Sequence, residues 1–188
     1  MIIMINGAFG VGKTSVAKAL QQTIDNSMIY DPEEVGFMLR HVIQKDIMSK
    51  EEDTEDFQDI KLWRTMTVEF AKQLISTYNV NLIIPMTIHN KSYFTYIYEG
   101  FNELDETFHF CLAAKRETIH KRLIERGEEE GNWCFEQTDK CIRSYQDDLF
   151  EKFIVTDEAG IPEVVEMILL ELDIRGSQEY GATKRVSK

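Results

Sequence analysis

The sequence predicts one α/β domain in three layers: a five-stranded parallel sheet with helices on both faces. Three observations carry that expectation. Apolar runs of strand length alternate with helix-period segments along all 188 residues. The first 30 or so residues read strand, turn, helix, strand, a βαβ unit whose crossover makes the two strands parallel. No repeat and no shift in composition divides the chain, so the domain is expected over residues 1–173. A polar, disordered tail is expected over 174–188.

Met1 to Asn6 is an apolar run, read as the first strand. From Gly12 to Ile24, Val16, Leu20 and Ile24 recur every four residues, the buried stripe of a helix. Met28-Ile29-Tyr30 is the second strand. Asp31 caps a helix that Pro32 opens, expected to run from Glu33 to about Met48. Ser49 to Asp56 is acidic and polar and reads as an exposed, mobile connector. A third helix is expected from about Ile60 to Tyr78, and Val80 to Ile84 is the third strand. Pro85 cannot donate to a ladder, so it should mark that strand's end.

The segment with Tyr93, Phe94, Tyr96, Ile97, Tyr98 and Phe101 is a helix, either packed in the core or lining a cleft. Phe108 to Ala113 is the fourth strand. Glu117 to Arg126 is helical, with Gly127 as its stop. Glu128 to Trp133 is a loop, and a helix follows to about Phe150. Phe153-Ile154-Val155 is the fifth strand, and Pro162 opens the last helix.

Bulk composition narrows the function. A hydrophobic share of 43% and a charged share of 29% describe a globular chain. A net charge of -12 argues against a protein that grips a nucleic-acid backbone. An anionic ligand therefore needs a locally positive seat. Cys111, Cys134 and Cys141 show no paired spacing, so free thiols in a reducing cytoplasm are expected. No apolar run reaches the roughly 20 residues that span a bilayer.

The turn after the first strand supplies the positive seat. Gly7-Ala8-Phe9-Gly10-Val11-Gly12-Lys13-Thr14 fits G-x-x-x-x-G-K-T, with Ser15 next. Its glycines let backbone N–H groups turn toward a polyphosphate, and the helix start adds partial positive charge. Lys13 brings a full charge to the outer phosphates. The Thr14 hydroxyl can ligate Mg²⁺. Residues 7–15 are thus the expected nucleotide-binding set.

Ligands on doubly wound sheets sit beyond the C-terminal strand ends. That rule selects Asn6, Asp31, Thr87, His89, Lys115 and Arg116. Asp31 can take a proton from an attacking hydroxyl, or hold Mg²⁺ through water, besides capping its helix. Arg122 and Arg126 share a helix face beside the 128–133 loop, as phosphate clamps or as a solvated face. Arg40, Trp63, Thr87 and Arg143 are the candidates for holding an acceptor molecule. His41, His109 and His120 show no partner spacing. The third-strand position where P-loop proteins usually carry an acid reads Pro85-Met86-Thr87.

The motif, together with Tyr30-Asp31-Pro32-Glu33, Gly36-Phe37, Leu39-Arg40, Phe57-Gln58, Leu62-Trp63-Arg64 and Pro85-Met86-Thr87-Ile88, resembles the tunicamycin resistance protein family. The resemblance spans roughly Met1 to Leu172. That family is similar to small P-loop kinases such as the shikimate, adenylate and chloramphenicol kinases. The resemblance implies a sheet of order 2-3-1-4-5, ATP bound at Gly7 to Thr14, and a link to antibiotic resistance. In those kinases the carboxylate after strand two and arginines near the lid act on substrate, positions that Asp31, Arg122 and Arg126 match approximately. Two main activities are expected: transfer of the γ-phosphoryl of ATP to a small-molecule hydroxyl, or ATP-dependent sequestration of an antibiotic. A nucleotide-driven switch is a third reading. The residues do not identify the acceptor, and they do not separate ATP from GTP.

Overall fold

The computed structural model describes residues 1–145, 150 and 152–183, with only the backbone described from residue 174 onward. Its elements are β1 (Ile2–Gly7), α1 (Lys13–Thr23), β2 (Ser27–Ile29), α2 (Pro32–Val42), α3 (Lys61–Tyr78), β3 (Asn81–Met86) and α4 (Lys91–Leu104). β4 (Thr107–Ala113), α5 (Arg116–Glu125), α6 (Trp133–Ser144), β5 (Phe153–Val155) and α7 (Ile161–Thr183) complete it, with a 3₁₀ turn at Phe57–Asp59. The sheet order is β2-β3-β1-β4-β5 and every pairing is parallel.

β1 lies at the centre because it is apolar on both faces, and all six of its residues are buried. Its register runs Ile3↔Ile83 on one side and Ile3↔Phe108 on the other. α1 packs against α7, and α3 against α2 and α4. The edge strands β2 and β5 have three residues each and are only partly covered. No helix among the described residues is long and apolar enough to cross a membrane. The three cysteines are free.

Several boundaries differ from expectation for physical reasons. β3 continues through Pro85, which pairs with Ile5. The Ile83 carbonyl accepts from Tyr30 N, so Ile83 and, two residues on, Pro85 face the β2 side. β2 has ended there, and the missing N–H costs no ladder bond. α2 stops at Val42 rather than near Met48, because Ile43 is extended. The apolar period runs on in sequence, yet Val42 and Ile47 are exposed, and only Ile43 and Met48 of this stretch pack on the core, too little to hold a further helical turn.

The acidic connector is exposed as expected, but its carboxylates are engaged. Glu52 accepts from Ser49 N and Lys61 N, and Asp56 accepts from Gln58 N. α7 extends past Arg175, where a disordered tail is expected. Residues 184–188 of that tail lie outside the described residues, as do residues 146–149 of the expected helix end.

Candidate active site

The glycine turn leaves β1 under tight constraint. A Cβ on Gly7, at φ 149°, would stand 2.7 Å from the Leu112 carbonyl oxygen of β4. Gly12 caps α1 in the left-handed region at φ 111°. α1 has no side-chain cap and no acid in its first turn. By contrast, α2, α4 and α6 are capped by Asp31, Asn90 and Asn132. The bare start of α1 therefore presents N–H groups and dipole charge to an anion.

A cavity of about 510 Å³ lies over this turn. Phe9, Gly10, Gly12, Lys13, Thr14 and Ser15 face it, with Asp31, Glu33, Pro85, Arg122, Arg126 and Cys134 around them. Gly7, Ala8 and Val11, expected among the nucleotide-binding residues, do not line it; they are buried behind it. The Lys13 Nζ donates to the Ala8 carbonyl at 2.9 Å and stays inside the turn. Burial pushes its ammonium down to about 8, with Cys141 and Glu33 among the groups that pull the other way.

Asp31 lines this cavity while its Oδ1 accepts from Glu33 N at 3.0 Å. Arg122 faces the cavity but is braced: Nη2 donates to the Thr156 carbonyl and Nη1 to Thr156 Oγ1. Arg126 pairs with Glu128 at 2.6 Å. The acidic loop thus holds the arginine expected to meet phosphate. Thr14 and Asp31 put two oxygen donors in one cavity, which suits Mg²⁺ alongside phosphate oxygens. Among the described residues no cluster of three His, Cys, Asp or Glu side chains is placed to hold a metal by itself.

A second cavity of about 320 Å³ adjoins the first, and Phe9 and Glu33 line both. Its apolar lining is Phe9, Phe37, Phe57 and Trp133. Arg40 and Thr87, expected on the acceptor side, line it, as does His89. Arg40 donates to the Thr54 and Glu55 carbonyls. Burial holds the His89 imidazole below its ordinary value. Asn6 supports the floor from beneath: its side chain joins the Gly7 N–H, both polar backbone groups of Ile88 and the Tyr145 hydroxyl.

Two expected acceptor residues are elsewhere. Trp63 is 1% exposed, gives its indole N–H to the Pro32 carbonyl and packs edge-on to Phe57. It supports the cavity wall from behind and cannot touch a ligand. Arg143 is exposed and lines neither cavity. The inward face of α6 carries Phe135, Thr138 and Cys141, and a residue two further on projects the opposite way. Arg116 is likewise tied, in a bidentate pair with Asp139 on α6.

Glu33 is the residue that sequence reasoning missed. Burial, with Asp31 beside it, pushes its carboxyl above the usual range, while Lys13 pulls it down. The Asp31-x-Glu33 spacing at a helix start was the available signal. Gln58 entered only through the resemblance, as part of Phe57-Gln58, and Asp56 and Trp133 had no motif of their own to bring their segments to this space.

Residues 3–142 match the profile of the AAA domain family. No curated protein matches the chain. Among solved structures it is similar to a tunicamycin resistance protein from Deinococcus radiodurans, with a TM-score of 0.74 and 21% identity over 92% of this chain and 95% of that one. A gluconokinase from Sinorhizobium meliloti is similar at TM-score 0.65 and 14% identity, over 96% and 95% of the two chains. A shikimate kinase from Bacteroides thetaiotaomicron is similar at 0.62 and 18%, over 92% and 98%. At such identities the likeness is one of fold. The turn, the sheet order and the profile agree: the chain belongs to the AAA domain family and has the fold of small P-loop kinases.

Proposed function

We propose that the protein transfers the γ-phosphoryl group of ATP to a hydroxyl of a small molecule, with an antibiotic such as a tunicamycin-like nucleoside as a candidate acceptor. The observation that carries this reading is the shared wall of Phe9 and Glu33. A molecule in the aromatic cavity has its hydroxyl beside the outer end of a triphosphate held at the glycine turn.

Each residue then has a role. The N–H groups at the start of α1 and the Lys13 ammonium hold the phosphates. Glu33, held partly proton-seeking by its buried position, takes the acceptor's hydroxyl proton. The acceptor oxygen bonds to the γ-phosphorus, the bond to the bridging oxygen breaks, and ADP leaves with that electron pair. Arg126 swings from Glu128 to the charge that develops on the phosphoryl oxygens, and Arg122 flanks it. Mg²⁺ held by Thr14 and Asp31 would neutralise phosphate charge. The reading takes the protein as cytoplasmic, on the strength of its free thiols.

ATP-dependent sequestration is the second reading. It is favoured by Pro85, which lines the phosphate cavity near the place where many P-loop proteins carry an acid. Labelled ATP tested against nucleosides, amino sugars and antibiotics separates the two. Label in an acceptor product is the expected result. Tight ATP-dependent binding of one compound, with no labelled product across the panel, would replace transfer by sequestration.

A further inference from the structure

The aromatic cavity opens into a neighbouring hollow of about 360 Å³, and Asp56, His89 and Trp133 line both. Carboxylates dominate the combined cleft: Glu33, Glu55, Asp56, Asp59 and Glu136. Arg40 and Lys140 are its cationic side chains, and both already have oxygen partners. Arg40 donates to two backbone carbonyls. Lys140 reaches the Gln137 side-chain oxygen at 3.0 Å, once that amide is turned to accept. His89 is kept neutral near pH 7 by burial. Among the described residues the carboxylates outnumber these two cations, so an anionic acceptor would meet net repulsion here.

One further observation points to a ligand rather than to a solvated acidic surface. Thr87 lines the cavity, is 3% exposed, and its Oγ1 has no hydrogen-bond partner. A buried hydroxyl without a partner costs stability, and a turn of this side chain would bring it to a polar group in the cavity. One ring of this wall already carries a cation: the Arg40 guanidinium stands 5.9 Å from the Phe57 ring centre.

We propose that the acceptor is a cationic, ring-bearing alcohol. Its amine faces Asp56 and Glu136, its ring lies against Phe37 and Phe57, and its hydroxyl points toward Glu33 and Thr87. This rests on the cleft being the acceptor site, and it names the chemical class that site takes.

Three matched probes test it by calorimetry on the full chain without nucleotide: phenylalaninol, its N-acetyl derivative and 3-phenyllactate. One charge-assisted contact is worth about 1.5–3 kcal/mol, so the free amine should bind about tenfold or more tightly than either other probe. Asp56→Asn should erase most of that preference. Asparagine can still accept from Gln58 N, so the 3₁₀ turn keeps its cap, and an unchanged unfolding midpoint verifies the fold. Glu136→Gln, on an exposed position of α6, provides a second variant and should weaken the preference too. Equal or tighter binding of the acetylated or acidic probe overturns the proposal, as does an amine preference that survives both substitutions. Amine-selective binding upholds it even where labelled ATP transfers nothing, a result that bears on the kinase reading alone.

Discussion

The two cavities share a wall and contrast in how they are built and charged. Half of the phosphate side comes from one short stretch, Phe9 to Ser15, which includes Lys13, with Arg122 and Arg126 facing the same space. The acceptor side draws on residues 9, 33–40, 55–58, 87–89 and 133–137, and carboxylates prevail there. A chain with a net charge of -12 can thus hold an anion, because charge is sorted over a few ångströms rather than averaged. The contrast teaches that a chain's bulk charge does not set the charge of each of its cavities.

The largest expected effect lies at the wall itself. Glu33→Gln should lower phosphoryl transfer by about 10²–10⁴-fold while leaving ATP titrations within a few-fold. Activity near that of the parent protein would remove Glu33 from the chemistry. Next comes Lys13→Ala, which deletes a charge-assisted contact and should weaken ATP binding about tenfold or more. Phenylalaninol binding should be untouched, and a parallel loss of both ligands would show that the two cavities are not separable.

Gly36→Ala sharpens the other side. The new Cβ would stand 2.3 Å from a Phe57 ring carbon, so the ring must move. We expect a stability loss of about 1–3 kcal/mol in thermal unfolding, with acceptor binding lost and ATP binding kept. An unshifted midpoint with intact acceptor binding would contradict the packing described above.

The smallest effect is a fraction of a proton. Lys13 titrates at about 8 in the free protein, so at about pH 9 most molecules carry it neutral. Phosphate favours the charged amine, so ATP binding should take up a proton there. At about pH 6.5 the amine is charged before and after binding, and uptake from it vanishes. Calorimetry in buffers of different ionisation enthalpy reads the difference, and Lys13→Ala should abolish it. Identical uptake in that variant would assign the proton to another group.

Legibility in the sequence follows the same division. The parallel sheet, its strand segments and the phosphate turn were readable, because each depends on residues close together in the chain. Asp31 was readable as a cap for the same reason. Arg143 was misjudged because a helix face is decided by the neighbour it packs on, here the inward row of Phe135, Thr138 and Cys141. Trp63 was misjudged because a large ring in an amphipathic helix is compatible with a cleft or a core, and its indole bond to the Pro32 carbonyl spans 31 residues. The extent of β3 past Pro85 hinged on where the neighbouring strand stops, which no local signal reports.

By itself, then, the sequence determined the anion-binding turn and the parallel α/β class, since glycine dihedrals, a helix start and hydrophobic period are local properties. Only the tertiary structure decided which carboxylate stands between the two cavities and what lines the second one. Long-range packing sets that arrangement, bringing Phe9, Glu33, Asp56, Thr87 and Trp133 around one space although long stretches of chain separate them.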